Sequence, residues 1–173
     1  MNLPKWMNTP RTTKRSVSKV QEVNTAKVFK GKTILASGAL WFSKGDCSSD
    51  QFLIECKYTS KVDYPLEYKI LEKIRKEAAN EGKIPLLEIW FTNSEEEKKF
   101  IVINKSDFYM FKNFGGDIIP TIIETKSIRL NLNEANKYGY PLFIVFKSFN
   151  NDSFVVIERD KFLGYVSEAR SKS

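Results

Sequence analysis

The chain has 173 residues, 42% of them hydrophobic and 13% aromatic, enough for one packed domain or a domain with an appendage. Its 28 basic and 21 acidic residues leave a formal net charge of +7, which favours a polyanionic partner, nucleic acid before membrane, because no basic amphipathic helix stands out. With no histidine, and only Cys47 and Cys56 as thiols, the composition excludes Ser/His and Cys/His catalysis, nucleases with a histidine base, and thiolate–imidazole zinc sites.

Residues 1–15 carry two prolines and a basic cluster at Arg11, Lys14 and Arg15. They read as a flexible arm able to track phosphates, or as a terminus without a role. No apolar signal core opens the chain, and no run of eighteen apolar residues occurs anywhere, so neither export nor membrane spanning is expected. The sparse cysteines fit a reducing cytoplasm.

Residues 16–30 predict a helix, with Ser18 and Gln21 as a capping box, Gly31 as the stop, and Val20, Val23, Ala26 and Phe29 as the inward stripe. Glu22 borders that stripe. Residues 33–42 should be extended, with a break at Ser37-Gly38. Residues 50–59 alternate as a strand: Phe52, Ile54, Cys56 and Tyr58 on one face, Leu53, Glu55, Lys57 and Thr59 on the other. Leu66, Ile70, Ile74 and Ala78 then recur every four residues, predicting an amphipathic helix that ends near Gly82. Pro85 opens a strand, LLEIWF. A charged turn leads to a second strand, FIVI, and a short helix begins near Ser106-Asp107.

The rest of the chain echoes this order. EAANEGKIPLLEIWF (77–91) resembles EANKYGYPLFIVF (134–146), FIVI (100–103) resembles FVVI (154–157), and IIETKS (122–127) echoes LIECKY (53–58). A partial internal duplication is the simplest account, with the second copy starting near Gly115. Three segments follow: a basic arm (1–15), a core (16–113), and a C-terminal half-copy (114–173) packed on the core sheet or extending it.

Chemistry concentrates around residues 46–57. Asp46 follows Gly45 at a bend, and Glu55 and Lys57 share one strand face. Two carboxylates and a carbonyl suffice for Mg²⁺, which keeps several waters; Asp46, Glu55 and the backbone carbonyl of Cys56 offer that set. Lys57 can orient an attacking water or stabilise charge growing on a phosphoryl group. An E-x-K pair alone is more often an exposed ion pair. Ser37 and Thr59 can contact phosphate or water, or only satisfy local backbone. Asp117, Glu124 and Lys126 offer a second acid–lysine set, read as structural because no helical acid or S-G-A segment precedes it.

The whole stretch is more specific than its parts. SGALWFSKGD, seven residues, then IECKYT, with a helical glutamate upstream and Gly82 and Pro85 downstream, resembles the PD-(D/E)xK nuclease superfamily, in particular its small Holliday-junction-resolvase-like and phage-encoded nucleases. The resemblance covers residues 16–113. It implies a restriction-endonuclease-like α/β fold: a mixed central β-sheet flanked by helices, here with a C-terminal partial repeat. It implies Mg²⁺, with Mn²⁺ as a substitute, held by Asp46 and Glu55 with weaker support from Glu22, and a catalytic Lys57. The implied activity is DNA phosphodiester hydrolysis by metal-activated water. The implied partner is DNA, branched by resemblance, bound by a homodimer without nucleotide cofactor or membrane, in the cytoplasm (the host's, for a phage protein). Nicking, restriction-like and exonuclease activities share this site, and a non-cutting DNA-binding module on the same scaffold is the alternative from another class.

Overall fold

The computed structural model describes residues 14–34, 45–92, 97–112, 121–123, 127–131, 142–146 and 150–171. Their apolar runs form one mixed sheet of eight strands in the order β1-β2-β3-β5-β6-β10-β9-β7, with β4 and β8 paired as a separate ribbon. The strands are β1 (Lys32–Thr33), β2 (Cys47–Ser48), β3 (Phe52–Thr59), β4 (Asp63–Glu67), β5 (Ile84–Phe91), β6 (Lys98–Asn104), β7 (Thr121–Ile123), β8 (Ser127–Asn131), β9 (Leu142–Phe146) and β10 (Asp152–Glu158). Four helices are described: α1 (Lys14–Val28), α2 (Tyr68–Asn80), α3 (Lys105–Tyr109) and α4 (Arg159–Arg170).

The central strands are continuous apolar runs because both of their faces are covered. On one face, Ala26 of α1 and Phe29 just after it, Phe108 of α3, and Phe162 and Val166 of α4 pack on Phe52, Ile54, Cys56, Leu86, Ile101 and Val155. Phe52 meets Phe29 and Phe162 edge-on at 5.7 and 5.8 Å between centroids. On the other face, Tyr68 and Leu71 of α2 and Tyr64, Leu66 and Leu130 of the ribbon cover Leu87, Ile89, Val102 and Val156. Leu53 packs there too, against Ile74 and Ala78 of α2. Leu53 and Glu55 are therefore as buried as Phe52 and Ile54, and β3 is a two-sided core strand, not the half-buried one its alternation suggests.

The strand pairings have a local twofold arrangement. β3 runs parallel to β5 and β5 antiparallel to β6; β7 runs parallel to β9 and β9 antiparallel to β10; β6 and β10 pair antiparallel between them. The β6–β10 register is symmetric about Val102 and Val156, and the β4–β8 register about Pro65 and Arg129. Both pairs meet in one core cluster through Val102, Val156, Leu66 and Leu130. The C-terminal strands thus extend the same sheet.

The register also fixes which positions correspond. Val102 and Val156 pair outward with Leu87 and Leu142; two residues on, Ile89 and Ile144 pair with Lys57 and Thr121. The counterpart of Lys57 is therefore Thr121, and the apparent match of IIETKS to LIECKY is shifted from the hydrogen-bonded alignment. Asp117, Glu124 and Lys126 themselves lie outside the described residues.

Other expectations need adjustment. α1 begins at Lys14, so Ser18 lies inside the helix and caps nothing; its Oγ donates to Glu22 Oε1 at 2.9 Å. Val20 and Val23 are 58% and 55% exposed, and the inward residues are Gln21, Thr25, Ala26 and Phe29. Leu66 belongs to β4, and α2 buries Tyr68, Leu71, Ile74 and Ala78. Residues 35–44, with the Ser37-Gly38-Ala39 segment, are not among those described.

Candidate active site

The site forms where β2 ends. β2 pairs with β3 only at Cys47–Ile54 and Ser48–Leu53; the next residues outward are Asp46 on one side and Glu55 on the other. Asp46 is fixed by its own backbone, whose N–H donates to the Ile54 carbonyl at 2.9 Å and whose carbonyl accepts from the Ile34 N–H at 2.9 Å. Beyond the reach of the short β2, the Asp46 carboxylate takes the place of a neighbouring strand: its Oδ2 accepts from the Cys56 N–H at 2.8 Å. The N–H and C=O of one strand residue leave on the same edge, so the Cys56 carbonyl faces the edge where this carboxylate sits.

Gly45 makes the bend. Its φ is +69°, and a Cβ there would lie 3.0 Å from Leu53 Cδ1 in the core, so only glycine fits without strain. Its N–H donates to Glu77 Oε2 of α2 at 3.3 Å.

Glu55 and Lys57 point from β3 toward α2. Lys57 Nζ donates to Glu55 Oε1 at 2.7 Å, with the lysine side chain 37% exposed and the glutamate 10%. Lys73 of α2 lies 3.8 Å from Glu55 Oε2 and 3.9 Å from Glu77 Oε1. Burial pulls the Lys57 pKa down, while the hydrogen bond and charge of Glu55, then the charge of Asp46, push it up; the balance leaves it raised. Tyr64 is raised by burial, partly offset by Lys57. The result is a lysine held charged beside an acid pair at a sheet edge.

The candidate oxygens are those of Asp46 and Glu55, both of which raise the Lys57 pKa, and the Cys56 carbonyl. Among the described residues, no three His, Cys, Asp or Glu side chains form a metal cage. A set of two carboxylates plus backbone oxygen fits a hard cation that keeps its waters, and does not fit zinc. Cys56 is no ligand through sulfur: its hydrogen bond with Cys47 and its burial, then the charges of Cys47, Glu88 and Asp46, push its thiol well above the ordinary value.

Glu22 reaches this region through its backbone, whose carbonyl lies 3.1 Å from Cys47 Sγ, next to Asp46. Its carboxylate is hydrogen-bonded to Ser18, and α1 lies on the sheet face opposite α2. The Thr59 hydroxyl serves the following turn, accepting from the Lys61 N–H at 3.1 Å and facing the Asp63 carbonyl at 3.4 Å. Arg11 and Ser37 lie outside the described residues; Lys14 and Arg15 open α1, and their side chains are not described.

Sequence reasoning missed Lys73 and Glu77 of α2. It also missed a buried polar group behind β3. Glu88, fully buried, is held by Arg159 at 3.3 Å, Gln21 at 3.3 Å, and Thr25 by a short hydrogen bond. A signal existed: Glu88 is a lone acid in the apolar run LLEIWF, on the same face as Leu86. The apolar cleft between α1 and α4, lined by Phe29, Phe52, Leu163 and Val166, contains no acid and lies on the face away from Glu55.

No family model matches the chain, and no curated protein matches it. Among solved structures, it is similar to Hjc, a Holliday junction resolvase from the archaeal hyperthermophile Archaeoglobus fulgidus, with a TM-score of 0.46 and 11% identity over 86% of this chain and 97% of that one.

Proposed function

We propose that this chain is a divalent-metal-dependent deoxyribonuclease whose site is Asp46, Glu55 and Lys57. One observation carries the reading: Asp46 Oδ2 lies 2.8 Å from the Cys56 N–H, beside a Glu55 carboxylate that Lys57 Nζ meets at 2.7 Å. An acid pair and an ammonium together can serve phosphodiester hydrolysis: oxygen ligands for a cation, and a donor for charge that grows on the phosphoryl group.

Asp46, Glu55 and the Cys56 carbonyl would hold Mg²⁺, or Mn²⁺ in its place, with Glu22 in support from α1. A cation there supplies charge neutralisation and a more acidic water. Lys57, which offers three N–H donors, orients the attacking water or donates to a phosphoryl oxygen as its charge grows. The water oxygen bonds to phosphorus, the P–O3′ bond breaks, and the departing 3′-oxygen takes a proton. The net charge of +7 suits a DNA partner. Arg11, Lys14 and Arg15 extend contact along the backbone, and Ser37 and Thr59 lie near enough in sequence to the acids to meet a phosphate. Cys47 and Cys56 are free thiols, hydrogen-bonded to each other with their sulfurs 4.0 Å apart and not joined as a disulfide, in keeping with a reducing cytoplasm.

Branched DNA is the proposed substrate, by the sequence resemblance. Resolving a four-way junction takes two symmetric cuts, so on that substrate two chains would act as a homodimer. No described helix is long and apolar enough to cross a membrane.

The test is incubation with supercoiled plasmid and with a four-way junction, with and without Mg²⁺. Metal-dependent cleavage that disappears in Glu55→Ala is expected. DNA binding without cleavage in either Mg²⁺ or Mn²⁺ would refute the enzyme and favour the non-cutting module.

A further inference from the structure

Behind the catalytic strand lies a group of polar side chains that the proposed reaction does not use. Glu88 is the register partner of Cys56 and faces away from Glu55, toward α1 and α4. It is 0% exposed and accepts from Arg159, Gln21 and Thr25. Gln21, 1% exposed, donates to the Lys57 carbonyl at 3.0 Å as well as to Glu88. Its Oε1 has no hydrogen-bond partner among the described residues, so the amide is oriented wholly by the two acceptors it serves. Arg159 also binds Asn24 Oδ1 of α1 at 2.9 Å. The path runs from the start of α4, through Glu88, to Gln21 and the Lys57 peptide.

A buried ion pair is weak evidence of a stabilising role, since well-packed apolar groups of similar volume often hold a fold as well or better. Here the chain contains its own comparison. The twofold register that carries Leu87 onto Leu142 carries Glu88 onto Phe143. The same symmetry carries Lys105, the first residue of α3, onto Arg159, the first residue of α4. At the related place the chain therefore has Phe143 and Lys105 where this side has Glu88 and Arg159. That other half is also the one in which Thr121 stands where Lys57 would be. The buried carboxylate occurs in the half with the catalytic lysine, and a phenylalanine occupies its position in the half without it.

We infer that Glu88, with Arg159 and Gln21, is a positioning device that fixes the end of β3 at Lys57, and is not needed to hold the fold. This rests on the nuclease reading of Lys57. The physical reason is that β3 loses its β2 partner after Ile54, so among the described residues the stretch from Glu55 to Lys57 has a ladder only with β5. Gln21, held by Glu88, adds a constraint on the Lys57 peptide from the α1 face. Small displacements of a catalytic group are costly: a shift of about 1 Å can cost about a hundredfold in rate.

The test compares Glu88→Leu/Arg159→Met and Glu88→Gln with the unmodified chain. Measured are melting temperature, single-turnover cleavage rate against substrate concentration, and amide hydrogen exchange across residues 56–58. The apolar pair is expected to melt at or above the unmodified temperature, cleave at least about tenfold more slowly with an unchanged half-saturating DNA concentration, and exchange faster at residues 56–58. Glu88→Gln, which keeps an acceptor for Gln21, should recover most of the rate. Native rate and native exchange in the folded apolar pair would overturn the inference. If that pair fails to fold, Gln21→Leu removes the link to Lys57 while Glu88 keeps its bonds from Arg159 and Thr25, and unchanged rate and exchange there would overturn it equally. Absence of cleavage by the unmodified chain would instead refute the nuclease reading, while the exchange measurement would still decide whether the network orders β3.

Discussion

Replacing Lys57 with alanine separates catalysis from stability because of where its ammonium lies. The side chain is 37% exposed and its ion pair with Glu55 spans 2.7 Å. After discounting for solvent screening at that exposure, such a pair is worth under about 1 kcal/mol. Lys73 remains 3.8 Å from the same carboxylate, so Glu55 is not left as an isolated buried charge. For a chain of this length, about 1 kcal/mol corresponds to a melting shift of about 2–4 °C. Rate behaves differently, since removing a donor aimed at developing charge costs about 10²–10³-fold. Lys57→Ala should therefore melt within a few degrees of the unmodified chain and cleave at least about a hundredfold more slowly. It should bind Mn²⁺ no more weakly, because Glu55 loses a competing cation. Single-turnover plasmid cleavage, thermal melting and Mn²⁺ titration monitor the three effects. Cleavage within about threefold of normal would refute the role of Lys57, and unfolding at ordinary temperatures would refute the energetic argument.

Gly45→Ala should destabilise the chain by about 1–2 kcal/mol from its left-handed φ alone, more because Leu53 is core-packed, and should weaken Mn²⁺ binding by moving Asp46; melting and metal titration check both. Glu124→Ala/Lys126→Ala should cleave DNA at close to the normal rate, since the register puts Thr121 and not an E-x-K lysine opposite Ile144; loss of cleavage in the folded variant would mean a second working site. Removing residues 1–15 should lower the slope of log affinity against log salt by about 0.9 for each phosphate that the arm neutralises, and equal slopes would remove the arm from the interface. Lys57 has a raised pKa, so its contribution to stability is complete below the ordinary lysine value of 10.5 and is lost as pH rises through the raised value. Asp63, lowered first by its hydrogen bond from Arg129, contributes above its ordinary value of 3.8, and that contribution is lost as pH falls through the lowered one. Melting followed across pH should fall at both ends, with the alkaline fall beginning near the ordinary thiol value of 9.0, because the buried Cys56 thiol is raised well above it and resists ionisation in the folded chain.

Much of this molecule is written locally. Alternation of residue types put Glu55 and Lys57 on one face of β3, because a strand has a side-chain period of two whatever surrounds it. The runs FIVI and FVVI marked β6 and β10, and the matching segments before them marked β5 and β9. Gly45 before Asp46 marked a bend, since few other residues tolerate its φ.

What the sequence could not determine depends on partners far along the chain. Periodicity favoured Val20 and Val23 as the inward side of α1, yet Gln21 and Thr25 face inward because a buried carboxylate at Glu88 awaits them, 67 and 63 residues away. Glu88 is itself acceptable in the core only because Arg159, 71 residues on, arrives from the other half. Likeness of residue types aligned IIETKS with LIECKY, whereas hydrogen-bond register, the stronger constraint on which backbone positions correspond, set Thr121 against Lys57. Local pattern decides which way a side chain points from its own element. Only the packed sheet decides what stands opposite it, because the desolvation of a buried charge can be offset solely by groups that the fold brings within hydrogen-bonding distance.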